Sequence, residues 1–436
     1  MADLDSMNTI SERARENVDG EDHWAPLVNA MSNPWSPANA DGKVILGIAE
    51  NNLMHTELQD HIKDHFEVDP AFHFTYGHGP QGSPRLRKAI SGFFNSRFMP
   101  LQPTSAGEFI ITAGVTAMID HVTWSICNEG EGLLLPQPLY TGFTNDIPTR
   151  SRGKLVPVSF AREDDSIVLD DVFDATANTR CLERAYQESQ RRAVRIKGVM
   201  ITNPHNPLGK CYSEQAILAI MQFCAKHNLH YLSDEIYATS VFKNDSYPDA
   251  TPFKSVLSIA IEGVIDPNLV HVLYGAAKDF CANGLRLVQD MWARLLEDTP
   301  FLDRFIAENQ KRLAKHYAIL TSFLNDNGIL YFRGGNAAVF LWVDLRAWLL
   351  ADFNVGAAAL RATAANAAEY EAKEVQLSER WLSKGVMIAK GSRSMSEELG
   401  WFRIVFTVEE KALQTGLERF LSVLREWEVE EQHSVE

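Results

Sequence analysis

The sequence has no C-x-x-C pair, and its five cysteines, Cys127, Cys181, Cys211, Cys224 and Cys281, form an odd and scattered set. They suggest neither a cysteine-based zinc site nor a disulfide framework, and a reducing compartment such as the cytoplasm suits them. No apolar run approaches the roughly 20 residues of a membrane-spanning helix, so no membrane partner is expected. A basic excess is also missing, with 41 Lys and Arg against 57 Asp and Glu and a formal charge of −16. A nucleic acid repels such a surface and is not an expected partner, whereas one local basic pocket for a small phosphate is compatible with it. Met1 to Asp22 lacks the basic flank and apolar stretch of a secretory leader and reads as a mobile arm. Internal repeats and low-complexity linkers are absent too.

What is present is a globular composition, 45% hydrophobic and 22% charged over 436 residues, enough for two or three structural units. Short apolar, β-branched runs predict strands at Lys43 to Ala49, Glu108 to Thr112, Gly132 to Leu135, Lys197 to Thr202 and His230 to Ser233. Helical spacing separates several of them, over Arg85 to Phe98, Val115 to Cys127 and Ala216 to His227. This alternation predicts an α/β fold, a mainly parallel sheet with helices on both faces. Beyond Leu302 a long helical stretch, an Ala-rich helical stretch from Val355, and strands at Ala338 to Val343 and Phe402 to Thr407 predict a smaller α+β domain. The expected division is an arm over 1–42, a small domain from 43–73 and 302–436, and a large domain over 74–301.

Several local groups carry chemistry. Gly114, Val115 and Thr116 follow a predicted strand and open a helix, where backbone N–H groups suit an anion. Thr202-Asn203-Pro204-His205-Asn206-Pro207 is a rigid turn whose asparagines can donate. Asp234 ends a strand, either as a functional carboxylate or as a helix cap, and Tyr237 lies three residues on. Lys278 with Arg286, and Arg403 in Gly400-Trp401-Phe402-Arg403, complete the set. Each alone is unspecific: a Lys eight residues before an Arg also describes solvated surface.

Order and spacing together resemble the fold-type I pyridoxal phosphate enzymes, the family that includes aspartate aminotransferase, over about residues 43 to 425. Leu46-Gly47-Ile48-Ala49-Glu50-Asn51 and Gly400-Trp401-Phe402-Arg403 are more similar to the 1-aminocyclopropane-1-carboxylate synthases. The resemblance implies pyridoxal 5′-phosphate as cofactor, with Lys278 holding its aldehyde as a Schiff base. It implies that Asp234 faces the pyridine nitrogen, that Tyr237 and Asn206 donate to the 3-oxygen, and that Tyr140 stacks on the ring. Gly114, Val115, Thr116 and Arg286 would hold the phosphate. Tyr76 would reach the phosphate of a neighbouring subunit, which implies a homodimer with shared sites. Arg403, supported by Asn336, would grip the α-carboxylate of an amino acid substrate, and Glu50 would lie in the substrate pocket. Tyr140 is also compatible with core packing, Asn336 with a turn, and Glu50 with an exposed loop.

The chain departs from the family around the lysine. Tyr274-Gly275-Ala276-Ala277-Lys278 stands where the family usually reads S-x-S-K, so Gly275 lacks a hydroxyl for the phosphate, and Phe280-Cys281-Ala282-Asn283 replaces a G-x-P stretch. Three functions follow. The first is a lyase resembling 1-aminocyclopropane-1-carboxylate synthase, which removes the Cα proton and cleaves a carbon–sulfur bond of a sulfur-containing amino acid, S-adenosylmethionine-like or a cysteine conjugate. The second is an aminotransferase converting an amino acid to a 2-oxo acid. The third is a non-catalytic homologue with a binding role, disfavoured because Asn206, Asp234, Tyr237, Lys278, Arg286 and Arg403 are all retained.

Overall fold

Four of the five runs read as strands before Leu302 form strands in the computed structural model, which describes residues 10–12, 14–15, 25–68, 82–280, 286–349 and 367–435, and two strands not read from the sequence, Lys154–Val158 and Val270–Leu273, join them. Val44–Ile45 (β1) comes first, then Gly132–Pro136 (β2), Lys154–Val158 (β3), Ile196–Thr202 (β4), His230–Asp234 (β5) and Val270–Leu273 (β6). Strands β2 to β6 make one parallel sheet in the order β3-β2-β4-β5-β6. The helices that bear on the site are His55–His65 (α1), Val115–Ile126 (α2), Ala175–Arg191 (α3), Glu214–His227 (α4), Ala276–Asp279 (α5), Thr299–Asp326 (α6) and Glu410–Val435 (α7).

Both faces of the large sheet are buried, as continuous apolar strands require. Leu133, Leu135, Met200 and Leu232 pack with Val115 and Ile119 of α2. The alternate residues Leu134, Val199, Ile201 and Tyr231 pack with Cys181 and Leu182 of α3 and Ile217, Ile220 and Met221 of α4. Side chains in a strand alternate between faces, so helices cover the sheet on both sides. Local chemistry starts these helices: Asp174 Oδ1 accepts from Ala177 N (2.7 Å) and Ser213 Oγ from Ala216 N (3.2 Å).

The second layer holds Leu330–Tyr331 (β7), Phe340–Asp344 (β8), Val386–Met387 (β9), Ala389–Lys390 (β10) and Trp401–Val405 (β11). Four of these form an antiparallel sheet in the order β10-β11-β8-β7, while β1 pairs with β9. Phe340, Val343, Phe402 and Phe406 share a core with Leu313 and Leu320 of α6 and Leu417 and Phe420 of α7. The α/β architecture with a smaller α+β part is therefore the one expected. One element differs: Glu108 to Thr112 joins no sheet among the described residues. Phe109 and Ile111 pack on the core while Ile110 is 74% exposed, so the segment satisfies an alternating pattern without a ladder partner. The helical stretch expected from Val355 begins outside the described residues; its described part is Ala367–Ser383.

The order of the parallel sheet positions the site. Strand β3 lies on one side of β2 and β4 on the other, a reversal beyond whose carboxyl ends open α/β sheets bind ligands. Tyr140 follows β2, Asn206 follows β4, Asp234 ends β5, and Lys278 follows β6.

Candidate active site

Asp234 is 3% exposed at the end of β5. Ile236 N lies 3.4 Å from its Oδ1 and Thr202 Oγ1 3.5 Å from its Oδ2. Burial pushes its pKa up to about 7, against the pull of those two donors and of the Lys278 ammonium. The amine and the acid singled out from sequence are thus close enough to feel each other's charge.

Lys278 sits in the single helical turn of α5, and its neighbour Asp279 anchors that turn. The buried Asp279 carboxylate accepts from Ser240 Oγ (2.5 Å), Tyr274 Oη (2.9 Å) and Thr239 N (3.2 Å). Three donors on one carboxylate leave α5 little freedom to rotate, which fixes where the lysine stem starts. Sequence reasoning passed over Asp279 and Tyr274; their places beside and four residues before the lysine were the available signal.

Arg403 is buried in β11, with Nη1 donating to Asn206 Oδ1 (3.0 Å) and Nη2 to the Gly47 carbonyl (2.9 Å). Its guanidinium carbon lies 5.0 Å from the centre of the Phe340 ring, and its Nε has no hydrogen-bond partner. Burial lowers its pKa, opposed by Tyr237 and Tyr140. Among the described residues no carboxylate lies within ion-pair distance of Arg403 (the salt bridges around it belong to Arg346 with Asp344 and Glu398). A buried guanidinium without an anion is costly to hold.

Tyr237 is buried against Phe340, edge to face at 5.5 Å, and burial raises its pKa. Tyr140 meets Phe143 edge to face at 5.2 Å. A Cβ at Gly142 would lie 2.4 Å from the Tyr140 ring, so only glycine lets that ring lie there. Burial raises the Tyr140 pKa, and Arg403 and Asp234 both act on it electrostatically. The two asparagines of the N-P-x-N-P run have separate tasks. Asn203 braces the turn, donating to the Lys254 carbonyl (3.2 Å) and accepting from Tyr212 N (3.1 Å), while Asn206 reaches Arg403.

Gly114 precedes α2 at φ +95°, and a Cβ there would meet nothing within 4 Å. The N–H groups of that turn have no acceptor within the helix. Thr116 Oγ1 donates to Asp146 Oδ2 (3.3 Å), and burial raises the Asp146 pKa to about 6. Asp146 is a third residue that sequence reasoning missed. Val115 turns its Cγ2 toward Gly275, where an added Cβ would come within 2.6 Å.

Glu50 is exposed beyond the buried Ala49, and its carbonyl accepts from Thr407 Oγ1. Asn336 is buried; its amide donates to the Thr251 carbonyl (3.1 Å) and its Oδ1 has no partner. Its described contacts therefore run to the Thr251 loop and not to Arg403. Tyr76, the Arg286 side chain and Cys281 lie outside the described residues.

The family model described as aminotransferase class I and II matches residues 43–288 and 286–420. Among curated proteins, a rice 1-aminocyclopropane-1-carboxylate synthase is 29% identical over 98% of this chain and 97% of its own length. A mouse protein named probable inactive 1-aminocyclopropane-1-carboxylate synthase-like protein 2 is 28% identical over 79% of this chain, which spans 60% of that protein. A protein of Aspergillus oryzae named as a probable aminotransferase is 28% identical over 88% of this chain and 91% of its length. Among solved structures, the kynurenine aminotransferase of Pyrococcus horikoshii superposes with a TM-score of 0.68 at 14% identity, covering 97% of this chain and 98% of its own. The aspartate aminotransferase of Thermus thermophilus gives 0.65 at 17% identity, covering 95% and 99%.

Proposed function

Because the chain belongs to the class I and II aminotransferase family, whose enzymes use pyridoxal 5′-phosphate, we propose that it is a lyase that removes the Cα proton of a sulfur-containing amino acid and cleaves its carbon–sulfur bond. The residues present fit the cofactor. Gly114 opens a helix whose first N–H groups suit a phosphate, and Asp234 is a buried acid near an amine. Arg403 is a buried cation with an unpartnered Nε. Lys278, Asp234, Tyr237, Asn206, Tyr140 and the 114–116 turn would hold it, with Arg286 and with Tyr76 from the second subunit of a homodimer. When bound, this cofactor supplies an electron sink for negative charge at the substrate Cα.

The chain's own residues then divide the work. Arg403 binds the α-carboxylate through its fork, which fixes the orientation of Cα. Lys278 Nζ takes the Cα proton, and the Asp279 network holds the turn from which it reaches. Asp234 would keep a proton on the cofactor's ring nitrogen, because a buried carboxylate is stable only against a positive partner. Tyr237 and Asn206 would donate to the cofactor's 3-oxygen, and the Tyr140 ring would exclude water. Glu50, an exposed carboxylate just beyond the Gly47 carbonyl that holds Arg403, would favour a cationic sulfonium side chain.

The observation that carries the reading is the convergence of an amine, a buried acid and an anion-seeking guanidinium at the carboxyl ends of β4, β5 and β6 and in β11. Transamination is the second reading, favoured by the Aspergillus relative. The test is to supply the cofactor, trap it on the protein with borohydride, map the peptide, and assay three substrate sets. Label on Lys278, with a thioether or with pyruvate and ammonia released from S-adenosylmethionine or a cysteine conjugate, is expected. Label on another residue refutes the site, and cofactor converted to its amine form with a 2-oxo acid as sole product refutes the lyase.

A further inference from the structure

Away from this site, α1 carries His61 and His65 one helical turn apart, so both rings leave the same face. Opposite them is Asp298, whose Oδ1 caps α6 by accepting from Phe301 N (3.1 Å). One donor atom from each of the three residues lies within 4.8 Å of the others. We propose that His61, His65 and Asp298 form a binding site for a zinc-class divalent cation that fastens the end of α1 to the start of α6.

Three features point to a metal and not to an ordinary polar contact. His65 Nδ1 lies 2.9 Å from the His61 carbonyl and donates to it, which leaves Nε2 with the lone pair. This is the carbonyl-oriented imidazole that metal-binding histidines use. His61 is 5% exposed and its Nε2 has no hydrogen-bond partner, although the ring is held between His65 (4.3 Å) and Phe301 (4.0 Å). The gap from His61 Nδ1 to Asp298 Oδ2 is 3.8 Å, too long for a hydrogen bond. Two imidazoles and one carboxylate suit zinc or its transition-metal neighbours; magnesium and calcium prefer oxygen sets. His65 is exposed and Asp298 half-buried, so both can close on an ion bonded at about 2.0–2.2 Å.

The clamp would have a definite place in the molecule. The start of α1 is already tied to α6, by Asn51 Nδ2 to Asn309 Oδ1 (2.8 Å) and by Arg312 Nη2 to Glu57 (2.5 Å). A cation at His61 would tie its other end, and so steady the segment that descends from Glu50.

The full-length protein, loaded with cofactor and stripped with chelator, is titrated with zinc chloride and then with magnesium chloride, reading bound metal by equilibrium dialysis and the thermal midpoint. His65→Ala and Asp298→Asn are the variants, because asparagine caps a helix about as well as aspartate. The expected result is one zinc per chain, a higher midpoint with zinc and not magnesium, and at least roughly tenfold weaker binding in each variant. No zinc bound by the native chain, or variants that bind zinc as tightly as the native chain does, overturns the proposal.

Discussion

Replacing Gly275 with Ser restores the hydroxyl expected before the lysine, and the packing at that position decides whether it helps. The backbone at Gly275 is extended, φ −153° and ψ 147°, which any residue adopts. The obstacle is the neighbouring side chain: a Cβ would lie 2.6 Å from Val115 Cγ2, about 1 Å inside ordinary carbon contact. Val115 is buried in the first turn of α2, and a β-branched residue in a helix keeps essentially one χ1 rotamer, so it does not swing aside. Overpacking of this kind costs about 1–3 kcal/mol, while the regained hydrogen bond is worth about 1 kcal/mol. Gly275→Ser alone should therefore lower the thermal midpoint without tightening cofactor binding. In a Val115→Ala background the same change should tighten it by about the worth of that hydrogen bond, about 1 kcal/mol or roughly 5-fold in the dissociation constant. Cofactor titration of the four apoproteins by intrinsic fluorescence, with melts in parallel, measures the cycle. Equal tightening by Gly275→Ser in both backgrounds would refute the steric argument.

Two further outcomes follow from the buried charges. Asp234 keeps its proton to about pH 7 in the folded chain, against 3.8 for an ordinary group, so the unfolded chain loses its proton first. Apoprotein stability from this group is then lost as pH rises from about 4 to about 7 and changes no further above that. Asp234→Asn should melt above the native apoprotein at pH 8, with a ceiling of about 4 kcal/mol, and match it near pH 4; a gap independent of pH contradicts the reasoning. Arg403→Lys loses the fork that spans Asn206 and Gly47, and steady-state kinetics should show KM for the amino acid raised by at least roughly tenfold with a smaller fall in kcat. An unchanged KM would take the carboxylate away from Arg403.

The centre of the sheet was legible because β2, β4 and β5 are buried on both faces, and a run such as Leu133, Leu134 and Leu135 has no other home in a chain of this kind, whereas the less buried edge strands β3 and β6 were not read. Glu108 to Thr112 has the same pattern but forms no ladder, because alternation reports which face is buried and not whether a partner strand is adjacent. Within the site, residues that carry charge out of order were readable: Asp234 at a strand end, Lys278 after another, Arg403 in an apolar strand. Those that act through shape were not. Gly142 makes room for the Tyr140 ring two residues before it, which depends on how that ring turns, and Val115 fills the space beside Gly275, a contact between segments that the sequence does not juxtapose. Asp279 was hidden for a third reason: its donors Ser240 and Thr239 come from a different loop, about forty residues earlier.

Asp234 and Arg403 show how the fold and the chemistry constrain each other. Each is a buried ionisable group whose described partners are neutral or distant: backbone N–H and a hydroxyl for the acid, an amide oxygen and a carbonyl for the guanidinium. Left alone, both lower the stability of the chain, since burial raises the pKa of one and lowers that of the other. Neither cost could be removed by pairing them together without destroying the site, because an Asp234–Arg403 ion pair would satisfy both charges and leave nothing to recognise a ring nitrogen or a carboxylate. The parallel sheet prevents that pairing. Asp234 is fixed at the end of β5 by its ladder to β4 and β6, and Arg403 by its register against Trp342 and Ala389 in the other sheet. Lys278 acts electrostatically on Asp234 and Asn206 holds Arg403, so under the proposed function each charge has a neighbour that leaves it open to a ligand carrying a cationic ring at one end and an anion at the other.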